Sequence, residues 1–224
     1  FHPDWRDDLS AVMATERLLG LAKKTGRRVH VLHVTTRQEV ALLGEWKHLA
    51  TAEATPQHLS FEAPDCYERL GTLAQMNPPI RAREHQEALW EGVFDGTVDV
   101  LGSDHAPHSL DEKALPYPQS PSGMTGVQTL LPVMLTHVLN GRLTLDRLVD
   151  LTSAGPSRIF GIARKGRIAR GYDADFAIVD LKRNEVLRRE WIASKCGWSP
   201  YEGRLLKGWP VHTVLRGKVV VRDG

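Results

Sequence analysis

The feature that most constrains this chain is an alternation of two periodicities. Leu9, Val12, Met13, Leu19 and Ala22 keep helical spacing, Gly26 interrupts them, and Arg28-Val29-His30-Val31-Leu32-His33-Val34 follows as an apolar run that reads as one buried strand. The pattern then repeats. Glu39 to Lys47 predicts a helix, Leu49 to Ala54 a strand, Glu84 to Phe94 a helix, Val98 to Gly102 a strand, and Val127 to Leu139 a long helix. Such alternation implies an α/β fold with a parallel sheet, right-handed crossovers and helices covering the outer face. Three β/α units do not close a barrel, and an open three-stranded parallel sheet would expose apolar edges and faces. After Ser157-Arg158-Ile159-Phe160-Gly161 the texture changes to short strands punctuated by glycine: Gly166–Ile168, Ala174–Val179, Val211–Arg216 and Lys218–Val221. These predict a second, all-β unit, with Arg216-Gly217-Lys218 as a tight hairpin.

Composition bounds the class. With 224 residues, 42% hydrophobic and 25% charged, the chain can bury a sizeable core in one or two domains. The formal charge of +2 is spread without a basic block, so nothing calls for nucleic acid or a membrane surface, and a small molecule is the expected partner. Cys66 and Cys196 lie far apart and form no CxxC, which suits a reducing compartment, the cytoplasm by default. The opening Phe1-His2-Pro3-Asp4-Trp5-Arg6 has neither the basic start nor the apolar centre of a signal peptide, and no run reaches the length of a membrane span. The chain also lacks an initiator methionine, from which it is expected to begin inside a longer product.

Three clusters can carry chemistry. In the first, a strand delivers His33 to its carboxyl end before a polar turn, where it is the preferred metal ligand over a hydrogen-bonded structural imidazole. His30, an odd number of residues away, is expected on the opposite side of the strand against the covering helices. The second cluster is Gly102-Ser103-Asp104-His105-Ala106-Pro107-His108, directly after the apolar run ending at Leu101. A carboxylate at the carboxyl end of a parallel strand sits where α/β folds build active sites, although such a residue can also simply cap the next segment. Carboxylate and neutral imidazole together suit Zn²⁺ or a similar divalent ion, so Asp104 is assigned both metal binding and proton transfer. In the third, Gln75-Met76-Asn77-Pro78-Pro79-Ile80-Arg81, the double proline stiffens a loop that presents Asn77 to a ligand. Arg81 could clamp a carboxylate bidentately or open the next helix as a solvated residue.

Val29–Thr35, Glu53-Ala54-Thr55-Pro56-Gln57-His58-Leu59, Met76–Arg81 and Gly102–His108 resemble, in motif and in order, the dihydroorotase branch of the amidohydrolase superfamily. The resemblance continues through Ser120–Thr129, Thr152–Pro156 and Gly166–Asp175, and so covers nearly the whole chain. It implies the carboxyl-terminal part of a metal-dependent (β/α)8 TIM barrel plus a small β-sandwich domain, with residues 1–162 in the barrel and 163–224 in the sandwich. Arg28 to Val34 would be the sixth barrel strand, Leu49 to Ala54 the seventh and Val98 to Ser103 the eighth. The family's remaining metal ligands, a His-x-His pair, a bridging carboxylated lysine and a further histidine, are expected upstream on a companion segment that completes the barrel.

The implied activity is the interconversion of N-carbamoyl-aspartate and dihydroorotate in pyrimidine biosynthesis, with one or two zinc ions as cofactor. Asp104 takes a proton from the attacking water and passes it to the leaving ring nitrogen. By resemblance, Asn77 and His108 bind the substrate, the pyrimidine carboxylate lying near the histidine, with Gly123 and Gly126 as weaker candidates; Arg81 joins them as a substrate-binding candidate on its own chemistry. A homodimer is the implied assembly. Two departures blur the substrate. Gln57-His58 stands where dihydroorotases commonly show two histidines and dihydropyrimidinases show glutamine then tyrosine, and Leu32 replaces a cysteine that in some members is linked to an extra metal. The alternatives are a hydantoinase or dihydropyrimidinase acting on a neutral ring, and a non-catalytic dihydroorotase-like scaffold or inactive fragment.

Overall fold

A computed structural model describes residues 2–223. In chain order the elements are α1 (His2–Trp5), α2 (Asp8–Thr25), β1 (Val29–Val31), α3 (Arg37–Glu45), β2 (Ala50–Ala54), α4 (Pro56–Ser60), α5 (Asp65–Leu70), α6 (Arg83–Asp95), β3 (Val100–Leu101) and α7 (Leu110–Lys113). They continue as α8 (Leu130–Leu139), α9 (Leu145–Val149), α10 (Gly155–Ile159), β4 (Phe176–Val186), β5 (Leu205–Leu215) and β6 (Lys218–Arg222). The chain divides into two compact units, Phe1–Val127 with Ile192–Pro200, and Gln128–Trp191 with Tyr201–Gly224. That division falls before the boundary at residues 162 and 163 read from the sequence. The reason is packing: α8 lies on β5, and α9 on α8.

In the first unit, β1, β2 and β3 form a parallel sheet in that order, as the alternation predicts. Gly26 ends α2 at a φ of 64°, in the left-handed region glycine tolerates, and its N–H caps the carbonyls of Ala22 and Lys23. Along β2 the buried Ala50, Ala52 and Ala54 alternate with half-buried Thr51 and Glu53. The alanines let α3 pack closely on β2, and α3 also packs against α6. Asp99 accepts from the backbone N–H of Ala52 at 2.7 Å and pairs with Lys47, tying the start of the third strand to the second.

The second unit holds the antiparallel sheet β4-β5-β6. Leu215 pairs with Lys218, so Arg216 (φ 49°) and Gly217 (φ 79°) form the expected two-residue hairpin, whose two positive φ angles match the strand twist. Gly166–Ile168, read as a strand from sequence, is irregular, while β4 extends seven residues beyond Val179. Among the described residues no helix is long and apolar enough to cross a membrane.

Candidate active site at the strand ends

His33 lies two residues beyond β1 and Asp104 three beyond β3, and both adopt left-handed backbone, φ 37° and φ 42°. Non-glycine residues are costly in that region, and they persist where the surrounding structure over-determines them, often at functional sites. For His33 the determinant is the turn that follows. Thr36 and Glu39 form a capping box, and the buried Glu39 carboxylate accepts from the N–H groups of Thr35 and Thr36 and from the Thr15 hydroxyl. For Asp104 the determinant precedes it. The Ser103 carbonyl accepts from Gln57 Nε2 at 2.9 Å, and a Cβ on Gly126 would stand only 2.1 Å from that same oxygen.

Between these ends, Glu53 on β2 fills the space over Gly102, where an added Cβ would fall 2.2 Å from its carboxyl carbon. His30 shares this face: its Nδ1 lies 2.7 Å from Thr51 Oγ1 and its Nε2 3.8 Å from Glu53 Oε2. His30 therefore lies on the half-buried polar face of the sheet, not against the covering helices. Strand parity fails because the chain leaves extended geometry before His33. Burial pushes the Asp104 carboxyl above its usual range, with His33 pulling it down and Glu53 pushing it up. A carboxyl poised in this way is suited to carrying a proton.

Asn77 is exposed on its proline loop. That loop is held from beneath by His58, fully buried, whose Nε2 donates to the Pro78 carbonyl at 3.0 Å and whose Nδ1 accepts from Thr55 Oγ1 at 2.8 Å. His108 is half-buried. Its ring lies against Gly123, and its carbonyl accepts from Trp198 Nε1 at 2.7 Å. The loop after Asp104 is zipped to the glycine segment by a bridge between His105 and Met124, and Gly126 N–H donates to His105 Nδ1 at 3.1 Å.

Arg81 departs from both sequence readings. It is buried, and its Nε, Nη1 and Nη2 donate to Thr35 Oγ1, the Arg6 carbonyl and the Asp7 carbonyl at 3.0–3.1 Å. It is neither a solvated helix opener nor a free clamp. The guanidinium ties the turn after His33 to the start of α2.

Among the described residues no three His, Cys, Asp or Glu side chains converge as a metal cluster. His33 and Asp104 supply two donors of the nitrogen and oxygen types that zinc accepts, so they fit as part of a ligand set rather than as a whole one.

The amidohydrolase family model matches residues 14–220. The chain belongs to the amidohydrolase family. This amidohydrolase is 38% identical over 216 residues to the dihydroorotase of Halobacterium salinarum, covering 96% of this chain and 50% of that relative. It is 39% identical over 208 residues to the dihydroorotase of Bacillus caldolyticus, covering 91% of this chain and 48% of that one. Among solved structures it superposes on the L-hydantoinase (dihydropyrimidinase) from Arthrobacter aurescens with a TM-score of 0.90 at 35% identity, over 95% of this chain and 49% of that one. The D-hydantoinase (dihydropyrimidinase) from Thermus sp. gives 0.90 at 26% identity, over 97% and 50%. The chain thus spans about half the length of the relatives it matches. Its fold is the α/β barrel fold of the amidohydrolases, of which the described residues contain three adjacent parallel strands.

The supports of the candidate site, Glu39, Gln57, His58 and Lys113, carry little sequence signal. Asp111-Glu112-Lys113 has the charge density of a surface turn, yet Lys113 is buried.

Proposed function

We propose that this amidohydrolase is a metal-dependent dihydroorotase, interconverting N-carbamoyl-aspartate and dihydroorotate in pyrimidine biosynthesis. The observation that carries the reading is the pair His33 and Asp104, displayed from the ends of parallel strands by left-handed backbone, with the Asp104 carboxyl pushed up by burial. Zinc, one or two ions, when bound polarises the ring carbonyl and acidifies water. His33 and Asp104 are assigned as ligands, with further donors coming from a companion segment of the barrel outside these 224 residues.

Asp104 accepts the proton of the attacking water and returns it to the ring nitrogen as the carbon–nitrogen bond breaks. Asn77 presents an amide to the ring. The half-buried His108 faces the substrate carboxylate, and Gly123 and Gly126 line the ring side through their backbone. Arg81 positions the His33 turn. Of residues 163–224, the stretches 163–191 and 201–224 are assigned to the small β-sandwich domain, while Ile192–Pro200 returns to the first unit. The exposed Ile178, Val219, Val220 and Val221 on their sheet support this, since apolar residues in such number suit a covered surface. A cytoplasmic homodimer completes the proposal.

Gln57, in the place where dihydropyrimidinases carry glutamine, favours a second reading: a hydantoinase acting on a neutral ring, which needs no carboxylate anchor at His108. The test is turnover of dihydroorotate, dihydrouracil and hydantoin by the metal-loaded protein carrying the full set of barrel strands. Dihydroorotate should give the highest kcat/KM. His108→Ala should raise its KM about 10-fold, and Asp104→Asn should lower kcat by ~10²–10⁴. Turnover of the neutral rings with dihydroorotate inert would establish the hydantoinase; inertness toward all three would leave a scaffold.

A further inference from the structure

Lys113, at the end of α7, is 1% exposed, and its ammonium donates to three backbone carbonyls, those of Gln75 at 2.9 Å, Pro121 at 2.9 Å and Gly123 at 3.1 Å. An ammonium has three N–H donors, so the three carbonyls saturate it. The face of the Trp198 ring lies 5.9 Å from the same nitrogen, within cation–π range. A buried lysine normally pairs with a carboxylate. Here peptide dipoles from two separate segments take that part.

Those segments carry the candidate substrate groups. Asn77 follows Gln75 by two residues, and the Gln75 carbonyl also accepts from Gly123 N–H at 2.9 Å. Gln75 Nε2 crosses to the Ser120 carbonyl at 2.7 Å. His108 precedes α7, and Trp198, stacked near the ammonium, holds the His108 carbonyl. Removing the ammonium would leave the Pro121 and Gly123 carbonyls short of a donor in a dry interior, and the Gln75 carbonyl with the Gly123 N–H alone. Burial lowers the ammonium from its usual value to about 8. The fold thus keeps a cation where desolvation opposes it.

We propose that Lys113 is a positioning residue: it knots the Asn77 loop and the Gly123 loop to the segment bearing His108, and so sets the spacing of the substrate-binding groups. The kinetic side of this rests on the cyclic-amide reading; the knot itself does not. Lys113→Met keeps an unbranched chain one atom shorter and removes all three donors. In the metal-loaded enzyme it should raise KM by ~10-fold or more while changing kcat less than ~3-fold, because substrate contacts and not the proton carrier are displaced. A general loss of folded protein would instead lower apparent kcat at constant KM. Hydrogen exchange followed by mass spectrometry should show residues 72–79 and 119–126 exchanging ~10-fold faster, with β2 unchanged.

Lys113→Gln, which retains two N–H donors, should give an intermediate loosening and serves if the methionine variant does not fold. Unchanged exchange in both loops, or loosened loops with unchanged KM, would overturn the proposal. A wild-type enzyme that turns over no cyclic amide would defeat the functional reading instead, and the exchange result would still decide the knot.

Discussion

His58 is the residue whose chemistry and architecture are most tightly coupled. It is fully buried, and desolvation, set against the hydrogen bond to the Pro78 carbonyl, lowers its pKa to about 4, with the positive charges of His33 and Arg81 acting the same way. The folded-state value therefore lies below the unfolded value of 6.5. Between the two, the unfolded chain binds more protons, so stability is full above about pH 6.5 and falls as pH drops toward 4. The shift corresponds to about 3 kcal/mol. Chemical denaturation at pH 7 and pH 4.5 should show most of that loss in the wild type and a clearly smaller one in His58→Gln. An equal loss in both would place the acid sensitivity elsewhere, with the partly buried His137, also lowered to about 4, the next group to test. His33 and Asp104 are legible in sequence because a polar residue ending an apolar run is rare and directional. His58 and Lys113 are not, because their role depends on which loops fold over them.

At the scale of elements, Arg81 shows how a wall is held. Its three bonded nitrogens join the turn after His33 to the residues that open α2. Arg81→Met should therefore destabilise the protein by about 3 kcal/mol, since hydrogen bonds to a charged group are worth about 1.5–3 kcal/mol each and partial relaxation offsets some of the loss. For a chain of this length that is a drop of about 6–12 °C in Tm. KM should change little in the folded fraction. A raised KM with unchanged Tm would instead restore the carboxylate clamp.

Two glycines make a paired comparison. A Cβ on Gly102 meets only the mobile end of Glu53, whereas a Cβ on Gly126 meets the Ser103 carbonyl, backbone immediately before Asp104. Gly126→Ala should cost about 1–3 kcal/mol and lower kcat, and Gly102→Ala should cost less than about 1 kcal/mol. Parallel calorimetry and initial rates decide between them. The parallel strands were readable because all three fall between helical segments, β1 and β3 in apolar runs. Of β5 only the part from Val211 was, because glycine and proline weaken a strand pattern, yet Gly208 (φ 77°) and Pro210 sit inside the strand, where a Cβ on Gly208 would come within 3.0 Å of Leu135.

At the scale of the whole molecule, the question is how many donors a metal finds. Closed zinc sites take four ligands, and catalytic ones three protein ligands plus an open position. His33 and Asp104 stand just beyond the first and third strands of one parallel sheet, with Glu53 on the strand between leaning over Gly102 and toward His30. Glu53 is therefore oriented as an electrostatic neighbour of Asp104, and the described residues bring together a two-donor edge. Two monodentate donors compete poorly with water for a divalent ion. Elemental mass spectrometry after dialysis should accordingly find well under about half an equivalent of zinc on these 224 residues alone, and one to two equivalents on protein that carries the full set of barrel strands. In the latter, His33→Ala and Asp104→Ala should each reduce the metal content. A full equivalent retained by the 224 residues, and lost in Glu53→Gln, would mean that Glu53 swings from Gly102 to complete the site. The two-donor edge would then be a three-donor one, and the metal would order the strand ends without help from any other segment.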